Sequence, residues 1–157
     1  MFLLVFIASS QVFAGNDPLG LNMTGQIVDT SITKGKVVES FSPLPERVTP
    51  GQIIQYDIVS KNNSKRPLHK VEPEGKIPPG TEYIKNSAKS TGNVKIKFSA
   101  DNGKSFSTPP LKLKTVLPDG TKIEKIIPPS KYTNIRFVTK SLKPGESFTS
   151  AYRVIVK

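Results

Sequence analysis

From Gln52 to Val156 apolar and polar residues alternate with a period of two, and proline, glycine or asparagine corners interrupt the alternation. Successive side chains of an extended strand point to opposite faces, so such a pattern predicts strands with one buried face. Ile54, Tyr56 and Ile58 fall on one face of a segment that opens at Pro50-Gly51 and closes at Lys61-Asn62-Asn63-Ser64. Leu68 with Val71, and Tyr83 with Ile84, mark two further strands. Val94-Lys95-Ile96-Lys97-Phe98 alternates strictly, and Asp101-Asn102-Gly103-Lys104 then turns the chain toward Phe106. Asn-Gly tolerates the positive φ of a tight hairpin turn. Leu111-Lys112-Leu113-Lys114 and Ile123 to Ile127 flank a second corner at Pro118-Asp119-Gly120. Ile135 with Phe137, and then Phe148, Tyr152, Val154 and Val156, complete the set.

Earlier in the chain, Ser31 to Phe41 reads as a first strand, with Val37, Val38 and Phe41 as its apolar area, and Pro43, Pro45 and Pro50 exclude a helix after it. About 7–9 short strands at turn spacings of roughly ten residues predict an all-β chain with almost no helix. The expected form is an immunoglobulin-like antiparallel β-sandwich over residues 31–157. Gly15 to Thr30 is polar and glycine-containing and reads as a linker or loose arm. Met1 to Ala8 is an apolar run, and Val12 and Ala14 fit the cleavage pattern of a secretory signal over residues 1–14, although no Lys or Arg precedes the run. The run is far short of the roughly 20 residues needed to span a bilayer, and no later stretch is longer. The expectation is an exported protein of the periplasm, the cell surface or the medium, with no transmembrane segment.

The 157 residues amount to one domain, large enough to bury a core without staples. No cysteine is present, which excludes disulfides and thiolate metal sites. A net charge of +11 draws the surface toward anionic envelopes, polysaccharides or acidic partners. The charge has a specific placement. Lys95, Lys97, Lys112 and Lys114 alternate with inward apolar residues, and if their strands are neighbours they form one basic face, a candidate anionic-ligand site. The same lysines would keep edge strands from pairing between molecules. No aromatic residues interleave with them, which argues against a specific nucleic-acid platform.

Catalytic and metal-binding patterns are sparse. His69 is the single histidine, too few for a zinc site without converging carboxylates. Ser31-Ile32-Thr33-Lys34 matches Ser-x-x-Lys by spelling alone, without the helix or companion motifs of that chemistry. Glu72 and Glu74 are close in sequence, with Lys70 and Lys76 beside them as expected partners. Neither a cofactor nor an enzymatic role is expected, and no motif assigns an oligomeric state.

Two resemblances add to this reading. Pro50-Gly51-Gln52 before the Ile54/Tyr56/Ile58 strand, Asn62-Asn63-Ser64, Val71, and Ile77-Pro78-Pro79-Gly80-Thr81-Glu82-Tyr83 followed by Ser87-Ala88 resemble the bacterial "conserved repeat" surface domain. The resemblance covers about Val48 to Phe106, and Leu142-Lys143-Pro144-Gly145-Glu146 is similar to the family's closing corner. Gln52 stands where that family usually has an acidic residue. The resemblance implies an immunoglobulin-like sandwich of exported and envelope proteins, of unassigned function and without catalytic residues to transfer. Ser99-Ala100-Asp101-Asn102-Gly103-Lys104-Ser105 resembles an Asp-box hairpin, in which the Ser and Asp side chains brace the turn. The expected role is an envelope-associated interaction module that recognises an envelope protein, an anionic polysaccharide or lipid headgroups through strand edges, loops and the lysine face. The alternatives are a periplasmic subunit-binding or chaperone-like domain acting by strand donation, or a small secreted hydrolase.

Overall fold

The computed structural model describes residues 17–157; the expected signal segment lies outside them. Twelve strands are present among the described residues: β1 (Leu19–Thr33), β2 (Lys36–Pro43), β3 (Ile53–Asn62), β4 (Leu68–Val71), β5 (Glu74–Lys76), β6 (Thr81–Tyr83), β7 (Lys89–Ser90), β8 (Lys95–Ser99), β9 (Leu111–Val116), β10 (Lys122–Ile127), β11 (Asn134–Leu142) and β12 (Ser147–Val156). A single 3-10 turn, Pro129–Lys131, precedes β11. All pairings are antiparallel, and the sheets are not closed into a barrel. The chain is therefore all-β, consistent with a sandwich, with more strands than the corner spacing predicts.

The larger sheet runs β2-β1-β3-β12, with β6 and β7 both pairing to the far side of β12. The smaller sheet is built around β11. Strand β8 lies on one side of it, and β4 followed by β5 on the other. β4 and β5 form one edge interrupted at Pro73, whose carbonyl accepts from the Phe137 N–H at 2.9 Å. The expected stripes face inward. Ile54 and Ile58 of β3, Tyr152 and Val154 of β12, and Ile135 and Phe137 of β11 are all buried, most of them completely. Across the larger sheet Ile54 is level with Val154, and Tyr56 with Tyr152, whose ring centroids lie 5.3 Å apart.

Two strand assignments from the sequence need correction. The stretch expected to be a linker, residues 15–30, instead supplies most of β1, which pairs with β3 from Leu19↔Asn62 to Val28↔Ile53. Its glycines serve close packing. A Cβ on Gly25 would come 3.1 Å from the Tyr56 ring. Ser31 to Phe41, expected to be one strand, is a hairpin. Lys34 (φ 51°) and Gly35 (φ 75°) form its two-residue turn, the left-handed pair that tight hairpins use.

Candidate functional site

The four lysines expected to share a face are divided between two sheets. Lys95 and Lys97 are on β8, level with Val138 and Arg136 of β11. Lys112 and Lys114 are on β9, which pairs only with β10 and forms a separate two-stranded hairpin. Pro109 and Pro110 lie between β8 and β9, and their missing N–H groups stop the ladder from continuing there. The two strands do not pair, so no ladder sets the four lysines side by side on one sheet. Lys112 and Lys114 are also partly neutralised by Glu124, at 2.9 and 3.8 Å, and both cations hold its carboxyl below the usual range. Leu113 of this hairpin, expected to face inward, is exposed, and so are Ile123 and Ile126.

The other candidate groups are occupied structurally. Glu72 and Glu74 are held by Arg136, at 3.5 and 3.1 Å, rather than by Lys70 and Lys76. The Arg136 guanidinium in turn lies 3.6 Å from the centroid of the Phe106 ring, so Phe106 covers a cation instead of entering the core. His69 is exposed on β4 opposite Ser141. Among the described residues no three His, Asp or Glu side chains gather into a metal-binding set.

The Asp-box reading of Ser99 to Ser105 matches the observed bonds. Asp101 Oδ1 accepts from Ser99 Oγ at 2.6 Å and from the Ser105 N–H at 2.9 Å, and Oδ2 accepts from Ser105 Oγ at 2.6 Å. Asn102 (φ 58°) and Gly103 (φ 83°) make the tight turn between them. The Ser105 and Ser99 hydroxyls hold the Asp101 carboxyl well below the ordinary carboxylate value. A depressed folded-state pKa contributes stability above the unfolded value, and that contribution is lost as pH falls. Asp101→Asn should therefore lower the melting temperature at pH 7, and its gap to the parent should narrow once pH drops below about 3.8. A gap that stays constant from pH 7 to pH 3 would show that the carboxylate is not the brace.

Three clefts are defined by the described residues alone. The first, about 500 Å³, opens over the packed rings of Tyr83, Phe98 and Tyr132 and has Lys85 as its one charged lining group. The second, about 620 Å³, contains Lys76 and Lys131 but no carboxylate, and the third, about 200 Å³, contains Asp101, already bound within its turn. Converging acids, as two-carboxylate hydrolysis requires, are present in none of the three.

Sequence reasoning missed the most conspicuous surface, the β1–β2 hairpin. β3 covers β1 only as far as Val28, so Asp29–Thr33 and the matching half of β2 project beyond the sheet by about 16 Å. Among the described residues β2 has no neighbour on its other side, which makes it an edge strand there. Ile32 is 78% exposed, Val37 69%, Val38 45% and Phe41 46%. Ile32 and Val37 are directly opposite each other, so two apolar residues meet near the tip. Asp29, Lys34, Lys36 and Glu39 leave this arm without net charge on a protein of +11.

Its root is fixed. Arg153 of β12 donates to both Glu39 carboxylate oxygens at 2.7 Å and, through Nε, to Gln55 Oε1 at 2.9 Å. The same contact lowers the Glu39 carboxyl and raises the Arg153 guanidinium. The Lys34-Gly35 dipeptide was the available signal for this hairpin. No family model matches the chain, and no curated protein or solved structure matches it either. Among the described residues no helix is long and apolar enough to cross a membrane.

Proposed function

We propose that this chain is a non-enzymatic, exported interaction module of the cell envelope, which engages a protein partner by pairing an extended apolar strand with β2. One observation carries the reading: an unpaired edge strand with Val37, Val38 and Phe41 exposed, on an arm fastened to the body by Arg153 and Glu39. An open edge offers main-chain hydrogen bonds to an added strand, and side chains of alternating direction give specificity. Uncontrolled pairing is restrained by Lys36, Glu39 and the terminal Pro43 of the same strand. The missing net charge on the arm suits an apolar partner strand, since the arm contributes no field of its own. The sandwich acts as the rigid support, and recognition moves from the lysine face expected from sequence to the arm.

The resemblance to the bacterial conserved repeat domain supports the envelope setting. Val37→Lys/Phe41→Lys protein is expected to lose a stoichiometric partner that the parent retains from envelope extracts. In the retained complex, amide hydrogen exchange along Lys36–Pro43 is expected to slow. An unchanged complex, or exchange slowed elsewhere and not on β2, removes the reading.

A further inference from the structure

Three segments meet at the end of the sandwich opposite the arm tip: the start of β1, the β3–β4 loop and the β11–β12 turn. Main-chain bonds join them, from the Asn63 N–H to the Pro18 carbonyl at 2.8 Å, from the Asn62 N–H to the Glu146 carbonyl at 2.9 Å, and from the Gly145 N–H to the Asn62 carbonyl at 2.9 Å. This pole carries Lys61, Lys65, Arg66, Lys70, Lys140 and Lys143, all exposed, against two carboxylates, Asp17 and Glu146. A surplus of four positive charges out of the net +11 is thus gathered on a small part of the chain.

Among the described residues the pole's cations form no ion pair; the pairs present there involve Lys112, Lys114, Arg136, Arg153 and Lys157. Glu146 directs its carboxylate to the Lys143 main-chain N–H at 2.7 Å. The β4–β11 register, with His69 opposite Ser141 and Val71 opposite Thr139, brings Lys70 and Lys140 to the same stretch of the sheet, where Lys70 (φ 53°) leaves the regular ladder. The loop that presents Lys65 and Arg66 is ordered in advance, because buried Asn62 holds the Arg66 carbonyl at 2.8 Å and the Leu142 carbonyl at 2.9 Å.

The cations stand on the loop, the turn and the strand ends beside them, all exposed. A pole of this shape suits a broad array of anions better than a single chain lying in a groove. We propose that it docks the protein end-on against a bilayer surface rich in anionic phosphate headgroups. This extends the envelope-associated reading. It gives the module two working ends, since β1 runs from the pole to the arm turn, about 45 Å at 3.3 Å per residue. Docked this way, the arm points away from the lipid toward its partner.

Co-sedimentation of the full chain with vesicles tests the proposal, using phosphatidylcholine alone and phosphatidylcholine with about a third phosphatidylglycerol. The neutral vesicles report any binding through the apolar first residues. With each Lys or Arg near an anionic surface contributing about 1 kcal/mol, K65E/R66E/K143E should lower affinity for the anionic vesicles at least a hundredfold. Binding by the parent should fall steeply as salt rises from about 0.05 to 0.5 M. K76E/K85E/K131E reverses as many exposed charges near the opposite ends of β11 and β12 and should lose far less. Equal losses in the two triple variants would assign binding to diffuse net charge and overturn the proposal. So would parent protein that ignores anionic vesicles yet binds a heparin column through the pole, which would indicate a linear polyanion instead. Val37→Lys/Phe41→Lys protein should keep vesicle binding while losing its partner, so failure of the arm and failure of the pole are read separately.

Discussion

Tyr152→Ala is expected to lose about 4 to 5 kcal/mol of folding stability, at the upper end for deletion of a large aromatic from a core. Tyr152 is completely buried in the middle of β12, level with Tyr56 of β3, and its ring spans the gap between the two sheets. Its tip lies against Gly75 of the smaller sheet, where a Cβ would come 2.6 Å from the ring. Burial pushes the hydroxyl well above the usual phenol range, so it remains a donor, and it donates to the Lys76 carbonyl at 2.7 Å. Alanine therefore removes a ring that both sheets have shaped themselves around and orphans a carbonyl on the opposite sheet. Tyr152→Phe separates the two effects and should cost only about 1 kcal/mol, the net value of one hydrogen bond. Denaturant melts of both variants decide the matter. Domains of this kind hold about 5–15 kcal/mol in total, so the loss at this one side chain is a large fraction of the whole. A loss below about 2 kcal/mol would mean that the layers are not held together at Tyr152.

The second large effect is expected at Asn62, where alanine should cost about 3 to 4 kcal/mol. This side chain is fully buried and uses every group it has. Nδ2 donates to the Arg66 and Leu142 carbonyls, and Oδ1 accepts from the Ser64 N–H at 2.9 Å and the Ser64 hydroxyl at 2.7 Å. Truncation leaves these groups without their partner, and a buried polar group left unsatisfied costs about 1–3 kcal/mol. Ser64→Ala removes one of the four bonds at a partly exposed position and should cost about 1 kcal/mol. If Asn62→Ala proved no worse than Ser64→Ala, the residue would be an ordinary turn asparagine. Such a result would also deprive the basic pole of its ordered loop.

The extent of each sequence signal follows from its range along the chain. Ile54/Tyr56/Ile58, Ile135/Phe137 and Phe148/Tyr152/Val154/Val156 were legible because a strand buried on one face writes its period into consecutive residues. The Asn102-Gly103 turn and its Ser99–Asp101 brace were legible because every partner lies within a few positions. β1 was not. Its order comes from backbone bonds to β3, some 35 residues away, and its glycines are required by neighbours such as the Tyr56 ring, which no local pattern records. The lysine face failed for a related reason: alternation fixes which side of its own strand a lysine occupies, but not which strand lies alongside.

Sequence alone thus determined an all-β antiparallel chain, the inward faces of its main strands, a strongly basic surface and the absence of thiol chemistry. Those properties depend on period, composition and short-range turn geometry. Only the tertiary structure decided that residues 29–40 form an apolar arm with an open edge, and that five lysines and an arginine gather at the opposite pole. Both depend on pairings between segments far apart in the chain, whose free energy comes from contacts that neither segment carries by itself.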